Sequence, residues 1–230
     1  EYFDRACLDM IRGEQLEARP HKDLPLLPSA EAVYVEFHQP TQADADTRLR
    51  QVRLLLQENG GKPAETWLAA TPQDLEKLIG FRHAVPESIN HIIAERKRGT
   101  PMLTKLGTDM AVPDDKLAWV LNLYAESLGT LGLEGLKFGH IGDNHLHVNI
   151  LPATAEDYRR GKALIQEWAR QVIAAGGTVS AEHGIGKLKT AQLLDMYGRE
   201  AVKEMRALKR CFDPLGLLNP GNMFASEESG

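Results

Sequence analysis

Apolar positions along this chain switch repeatedly between a two-residue and a helical period. Residues 3–12 read as a short amphipathic helix, and a Pro- and His-containing connector follows through Pro28. From Ala32 to His38, Val33, Val35 and Phe37 alternate with Tyr34, Glu36 and His38, which predicts a half-buried strand. Leu49, Val52, Leu55 and Leu56 recur at helical spacing between about Asp44 and Asn59, with Gly60-Gly61 as the stop. Glu65–Ala69 reads as a second strand. Thr71 and Pro72 then give a cap and an N1 proline to a helix carrying Leu75, Leu78 and Ile79.

The second half repeats the plan. Thr108–Val112 reads as a strand, and Pro113 opens a helix carrying Leu117, Val120, Leu121 and Tyr124. Leu136–His140 and His145–Leu151 are predicted strands joined by a Gly142-Asp143-Asn144 turn. Thr154-Ala155-Glu156-Asp157 resembles a capping box that opens a long helix to about Ala175. Thr178–Ser180 is a short strand, and the rest is mostly helical as far as Asp213-Pro214. Two β-α-β halves of this kind point to an α+β, ferredoxin-like domain. Its sheet is largely antiparallel with helices on one face, and a helical C-terminal segment follows.

Size and composition narrow the class. A chain of 230 residues with 43% hydrophobic and 26% charged positions has the make-up of a globular protein. A formal net charge of −5 argues against a nucleic-acid partner. The basic run Arg96-Lys97-Arg98 precedes Gly99, where cations complement a helix C-terminus, so it reads as a solvated helix end. Cys7 and Cys211 have no metal-binding spacing and give no disulfide framework, which suits a reducing, cytoplasmic setting. No apolar run approaches the roughly 20 residues that span a bilayer, and no signal-peptide pattern opens the chain. It starts with Glu1-Tyr2-Phe3-Asp4 and no Met, as a fragment of a longer protein would.

The candidate chemistry is concentrated in two polar knots. His140, Asp143, Asn144, His145, His147 and Asn149 fall within ten residues, and Glu182 and His183 follow in a stretch of small residues. Histidine is the commonest metal ligand, and a Glu adds a hard oxygen, so a metal-centred or acid–base site is expected. The turn after His140 brings it back against the returning strand, so that His140 and His147 can converge. His145, His147 and Asn149 share one face of that strand. Asp143 reads as a turn former. Glu182 and His183 are adjacent, so on extended backbone they would diverge, one toward a metal and the other toward substrate as a base. Gly184 and Gly186 would let the backbone approach a ligand closely.

These residues resemble the C-terminal, substrate-binding domain of FAD-linked oxidases of the glycolate oxidase, D-lactate dehydrogenase and D-2-hydroxyglutarate dehydrogenase kind. The family's H-x-G-D-G-N-L-H-x-N signature is matched by His140, Gly142, Asp143, Leu146, His147 and Asn149. Its S-A-E-H-G-I-G segment is matched by Ser180 through Gly186. Its D-P-x-G-x-L-N-P-G-K segment is matched by Asp213-Pro214, Gly216 and Leu218-Asn219-Pro220-Gly221. Order and spacing agree from about Glu31 to Phe224.

The resemblance implies a divalent metal, commonly zinc, on His140, His147 and Glu182, with His183 as the base. It implies Arg82 on the substrate carboxylate, Asn149 and Lys105 on the substrate, and Asn219 near the flavin. Lys105 stands two residues further from Asp109 and Pro113 than the family pattern has it. Asn144-His145 replaces the usual Gly-Asn, so His145 either takes over an asparagine's hydrogen bonds or offers a further ligand. Asn222 replaces the common Lys.

The expected division is an N-terminal helix and connector (1–30), a substrate-binding cap domain (31–210), and a flavin-proximal segment and tail (211–230). An FAD-binding domain would precede them. The expected function is oxidation of a small D-2-hydroxy acid to the 2-oxo acid with hydride transfer to FAD, in an enzyme with no membrane span. A homodimer or an electron-transfer partner is compatible with it. Two rivals are a zinc-dependent hydrolase using His140, His147 and Glu182, and a non-catalytic binding module.

Overall fold

The computed structural model describes residues 1–17, 24, 26–69 and 71–224. Among the described residues there are six strands, β1 (Tyr2–Phe3), β2 (Ala32–Val33), β3 (Leu106–Gly107), β4 (Met110–Ala111), β5 (Gly135–His140) and β6 (His145–Ile150). They form a sheet in the order β2-β1-β5-β6-β3, with β4 also on β6, and every pairing is antiparallel. The described α-helices are α1 (Arg5–Leu16), α2 (Gln42–Glu58), α3 (Pro72–Gly99), α4 (Leu117–Leu131), α5 (Ala155–Ala174) and α6 (Thr190–Phe212). The α+β class and the largely antiparallel sheet are therefore as the sequence pattern predicts.

The β5–β6 hairpin divides the molecule. Its register sets Leu136 opposite Asn149, Phe138 opposite His147 and His140 opposite His145, so these six side chains share one face. Leu146, Val148 and Ile150 point the other way. Val148 and Ile150 join α4 and α5 in a core built around Val120, Tyr124, Leu128, Leu164 and Trp168. Trp168 is fully buried, donates to Ser127 Oγ at 2.9 Å and meets Tyr124 edge-on. On the imidazole-bearing face, Leu136 and Phe138 pack with Phe3, α1 and α3 through Ile11, Phe81, Val85 and Ile89. Two layers of helices thus clamp the hairpin, and the polar half of its inner face remains for the site.

Several local signals act as read. Thr71 caps α3 with Pro72 in its first turn, and Thr154 and Asp157 form the reciprocal capping box of α5. The hairpin turn is a 3₁₀ turn at Ile141–Asp143, closed by Asn144 in the left-handed region at φ 51°. Helix α3 continues through Pro86 to Gly99. Arg96 is more than a solvated helix end, because it donates to the Leu151 carbonyl and pairs with Glu134 at 2.5 Å.

Other expectations are corrected. The strand predicted over 32–38 is limited to Ala32–Val33, and its faces are reversed, with Val33 and Val35 exposed and Tyr34 packed inward. Pairing decides this, since Ala32 sits opposite buried Phe3 on the inner face. Residues 65–69 are not a strand. A 3₁₀ turn covers Pro63–Glu65, and Trp67 and Leu68 are partly exposed beyond it. The strand over 108–112 is split because Thr108 Oγ1 accepts the Val148 N–H at 2.9 Å. Thr178–Ser180 is reduced to one bridge between Ala111 and Thr178. Part of the predicted connector, residues 18–23 and 25, lies outside the described residues.

Gly139 fixes how closely the hairpin strands approach beside His140. Its φ is +140°, and a Cβ there would lie 2.9 Å from the His145 carbonyl oxygen and 3.2 Å from the His147 nitrogen. Both obstacles are backbone and cannot rotate away. Gly139→Ala is expected to cost about 1–3 kcal/mol. Urea unfolding should show a lower midpoint with an unchanged slope; an unchanged midpoint would show that the hairpin has slack.

Candidate functional site

The inner face of β6 presents His145, His147 and Asn149 in line, and the turn returns His140 alongside them. The second knot arrives from the Ser180–Gly186 loop. Its chain is bent rather than extended at 181–183, so Glu182 and His183 converge instead of diverging. His183 Nε2 lies 3.3 Å from Glu182 Oε1. His147 Nε2 lies 2.9 Å from the same oxygen, and His140 Nε2 lies 3.4 Å from Glu182 Oε2. Gly184 and Gly186 adopt left-handed φ values of 69° and 58° as the chain leaves the site.

One carboxylate organises this loop. Asp109 lies opposite His147 across the β4–β6 register and is almost fully buried. It accepts from the backbone N–H of Glu182 at 3.3 Å and of His183 at 3.1 Å, and from Lys189 Nζ at 2.7 Å. Burial opposes ionisation of Asp109, but the Lys189 hydrogen bond and those backbone donors outweigh it and hold its carboxyl below the usual range. Burial likewise opposes ionisation of Glu182. The hydrogen bond from His147 and the fields of His140, His145 and His147 prevail there too, and its carboxyl is lowered. For His145 burial dominates, with His147 beside it, and favours the neutral ring.

Each histidine is anchored differently. His147 Nδ1 lies 3.0 Å from the Thr108 carbonyl, which leaves Nε2 toward Glu182. His145 is 4% exposed, and its Nε2 comes within 3.1 Å of Asp109 Oδ1 without the alignment of a hydrogen bond. His140 Nδ1 is 3.4 Å from Glu1 Oε1. Arg82 on α3 grips that same oxygen, through Nε at 2.8 Å and Nη2 at 2.5 Å. Arg82 therefore reaches the imidazole cluster through Glu1.

Asn149 is buried two residues beyond His147, and a side chain at Gly107 would come within 3.2 Å of its Oδ1. Lys105 is exposed before β3, and no ion pair among the described residues ties it to the cluster. Asn219 is exposed, in the left-handed region at φ 45°. It edges a separate groove of about 450 Å³ lined by Phe212, Leu218, Met223 and Phe224. The Met223 N–H donates to the Gly186 carbonyl at 2.8 Å, which ties that segment to the end of the site loop.

Donor atoms of His140, His145, His147 and Glu182 all lie within 4.8 Å of one another. So do those of Asp109, His147, Glu182 and His183. Neutral imidazoles with one carboxylate are the donors that first-row divalent metals prefer. The buried, unbonded Nε2 of His145 at this point fits a missing electropositive partner. The residues present therefore suit a divalent cation. Glu1, Asp109, Thr108 and Lys189 were missed from sequence. Asp109 left a usable signal, an acid directly before the apolar run Met110-Ala111-Val112 within the predicted strand, where burial demands partners. Glu1 left none.

Fold and site together define an α+β domain with an imidazole–carboxylate cluster on a hairpin face. The chain belongs to the family described as FAD linked oxidases, C-terminal domain, which it matches over residues 1–223. It is 29% identical to a D-2-hydroxyglutarate dehydrogenase of Stutzerimonas stutzeri over 98% of this chain and 46% of that protein. It is 28% identical to the glycolate oxidase subunit GlcD of Bacillus subtilis, over 84% of this chain and 42% of the relative. A probable mitochondrial D-lactate dehydrogenase of Danio rerio is 33% identical over 83% and 37% respectively. The chain thus spans less than half the length of these curated relatives. Among the described residues no helix is long and apolar enough to cross a membrane.

The Asp109 network generates a pH prediction. Its carboxyl is lowered on folding, so the folded state binds fewer protons than the unfolded chain between the two values. That stability is fully present above about pH 4, the unfolded value, and is lost as pH falls through the lowered folded value. Asp109→Asn is expected to cost about 2 kcal/mol near neutrality. It should also flatten the acid side of the profile and speed amide exchange at Glu182 and His183. Urea unfolding across pH, with hydrogen exchange, checks this; an unchanged acid slope in the variant would remove Asp109 from that role.

Proposed function

We propose that this chain is the substrate-binding half of an FAD-dependent dehydrogenase that oxidises a small D-2-hydroxy acid to the 2-oxo acid. The convergence of His140, His147 and His183 on Glu182, 2.9–3.4 Å from its oxygens, carries this reading. His140, His147 and Glu182 would hold the metal. Zinc suits this donor set. When bound, the metal supplies Lewis acidity that polarises the substrate's hydroxyl and carboxylate oxygens. His183 is the most exposed of the cluster's rings and would take the hydroxyl proton, since imidazole is a base suited to neutral pH. Arg82 would exchange Glu1 for the substrate carboxylate, a planar two-point contact that Lys reproduces poorly. Asn149, fixed beside His147, would orient the substrate, with Lys105 at the periphery.

The α-hydride needs a two-electron acceptor, which the flavin of a preceding domain supplies when present. The exposed apolar side chains Phe212, Leu215, Leu217 and Leu218, with Asn219, form the surface that we assign to that domain. The relatives' names, all dehydrogenases or oxidases, support this reading over the hydrolase and over a binding module without catalysis.

In the full-length enzyme, His183→Asn is expected to lower kcat by about 10²–10⁴-fold, as loss of a general base does, with little change in substrate binding. Arg82→Lys should mainly raise KM, because a carboxylate clamp acts in ground and transition states alike. Steady-state kinetics with glycolate, D-lactate and D-2-hydroxyglutarate separate the two effects. Turnover of the His183 variant at the wild-type rate would overturn the assignment. Ester or peptide hydrolysis by the chain alone would favour the hydrolase.

A further inference from the structure

We infer that His145 is a fourth protein ligand of the metal centre, so that this chain offers three imidazoles and one carboxylate. The inference rests on the metal reading of the same site and extends it to a residue at which the family signature carries Asn. Three observations support it. His145 has a donor atom in the same 4.8 Å cluster as His140, His147 and Glu182. Its ring is 4.4 Å from that of His147 and 5.6 Å from that of His140, centroid to centroid, at inclinations of 70° and 41°. Its buried Nε2 has no hydrogen bond, a state that is costly for an enclosed polar atom.

Charge balance points the same way. Asp109 is matched by Lys189, and Glu1 by Arg82. Glu182 faces only imidazoles, so it is the carboxylate of the three without a Lys or Arg partner among the described residues. A divalent cation at this point would meet the one carboxylate of the three that has no other cation beside it. Asp109 Oδ1 lies 3.1 Å from the same His145 Nε2 without the alignment of a hydrogen bond, so it leaves that nitrogen without a partner.

The third nitrogen has a chemical consequence. Replacing an amide or open position by imidazole shifts a site toward zinc and cobalt(II) and away from manganese(II), which favours oxygen donors. The chain should therefore discriminate more strongly against manganese than a site built from two imidazoles and a carboxylate.

The test is direct metal binding by the chain without cofactor or substrate. Zinc(II), cobalt(II) and manganese(II) are titrated calorimetrically into the metal-free wild type, His145→Asn and His147→Ala. X-ray absorption of the zinc forms then counts imidazole ligands. The wild type should show three imidazoles. His145→Asn should show two and bind zinc more than about 100-fold more weakly, beyond the loss expected of an outer partner. Its zinc-over-manganese preference should narrow.

Retained affinity and an unchanged ligand count in His145→Asn, with metal lost from His147→Ala, would overturn the inference and leave the three-ligand reading standing. Metal retained by His147→Ala would overturn the three-ligand reading instead. A wild type that binds none of the three ions overturns both. Should His145→Asn fail to fold by circular dichroism, the wild-type count decides alone, three imidazoles for the inference and two against it.

Discussion

The placement of the site depends on the buried carboxylate of Asp109. Two segments that are about seventy residues apart in sequence meet at its oxygens, the stretch leading into β4, which carries it, and the Ser180–Gly186 loop wrapped on it. Lys189 closes the arrangement from the start of α6. A charged group this deep is stable only with its lone pairs occupied, and here the occupants are the backbone N–H groups of the residues that carry Glu182 and His183. The desolvation cost of one acid is thereby converted into positional order for two side chains. Loops rarely hold functional groups so firmly without such a tether.

The hairpin contributes the complementary half. A two-residue side-chain period places His145, His147 and Asn149 on one face with no further device. Gly139 lets β5 approach closely enough to set His140 beside them. Because Leu136 and Phe138 share this face, the same rank of side chains is core at one end and site at the other. The imidazoles sit at the edge of a packed layer, partly dehydrated, which strengthens every electrostatic contact they make.

Legibility in the sequence followed the range of the interactions. Capping by Thr71 and Thr154 and the turn at Asn144 are local chemistry, and all were readable. The hairpin was readable because its period and turn agree. The segments 32–38 and 65–69 were misread because short apolar runs carry no information about which edge they meet. Val33 faces outward only because Ala32 is opposite Phe3, a pairing across about thirty residues. The two polar knots were visible as composition, but the agent that joins them was not. Asp109 is one acid between β3 and β4, and its role exists only once the Ser180–Gly186 loop has folded onto it. Glu1 shows the same limit, since nothing near it in sequence points to Arg82 or His140.

The Glu1 contact has a bearing on how a substrate would be recognised. Its Oε1 bridges the Arg82 guanidinium and the His140 ring, so a carboxylate already spans the distance between the proposed anchor and the proposed metal ligands. A substrate carboxylate arriving at Arg82 must share or displace it, and the net gain is the difference between two similar ion pairs. Such an exchange contributes little raw affinity, because one charge-assisted contact replaces another. It contributes discrimination, since a neutral group in the same place would leave Arg82 with Glu1 and gain nothing. With a divalent ion on the proposed ligands, the same bridge would offset the repulsion between that ion and the Arg82 cation. On the proposed function, Glu1 thus makes the anchor and the metal centre electrostatically compatible before any ligand is present.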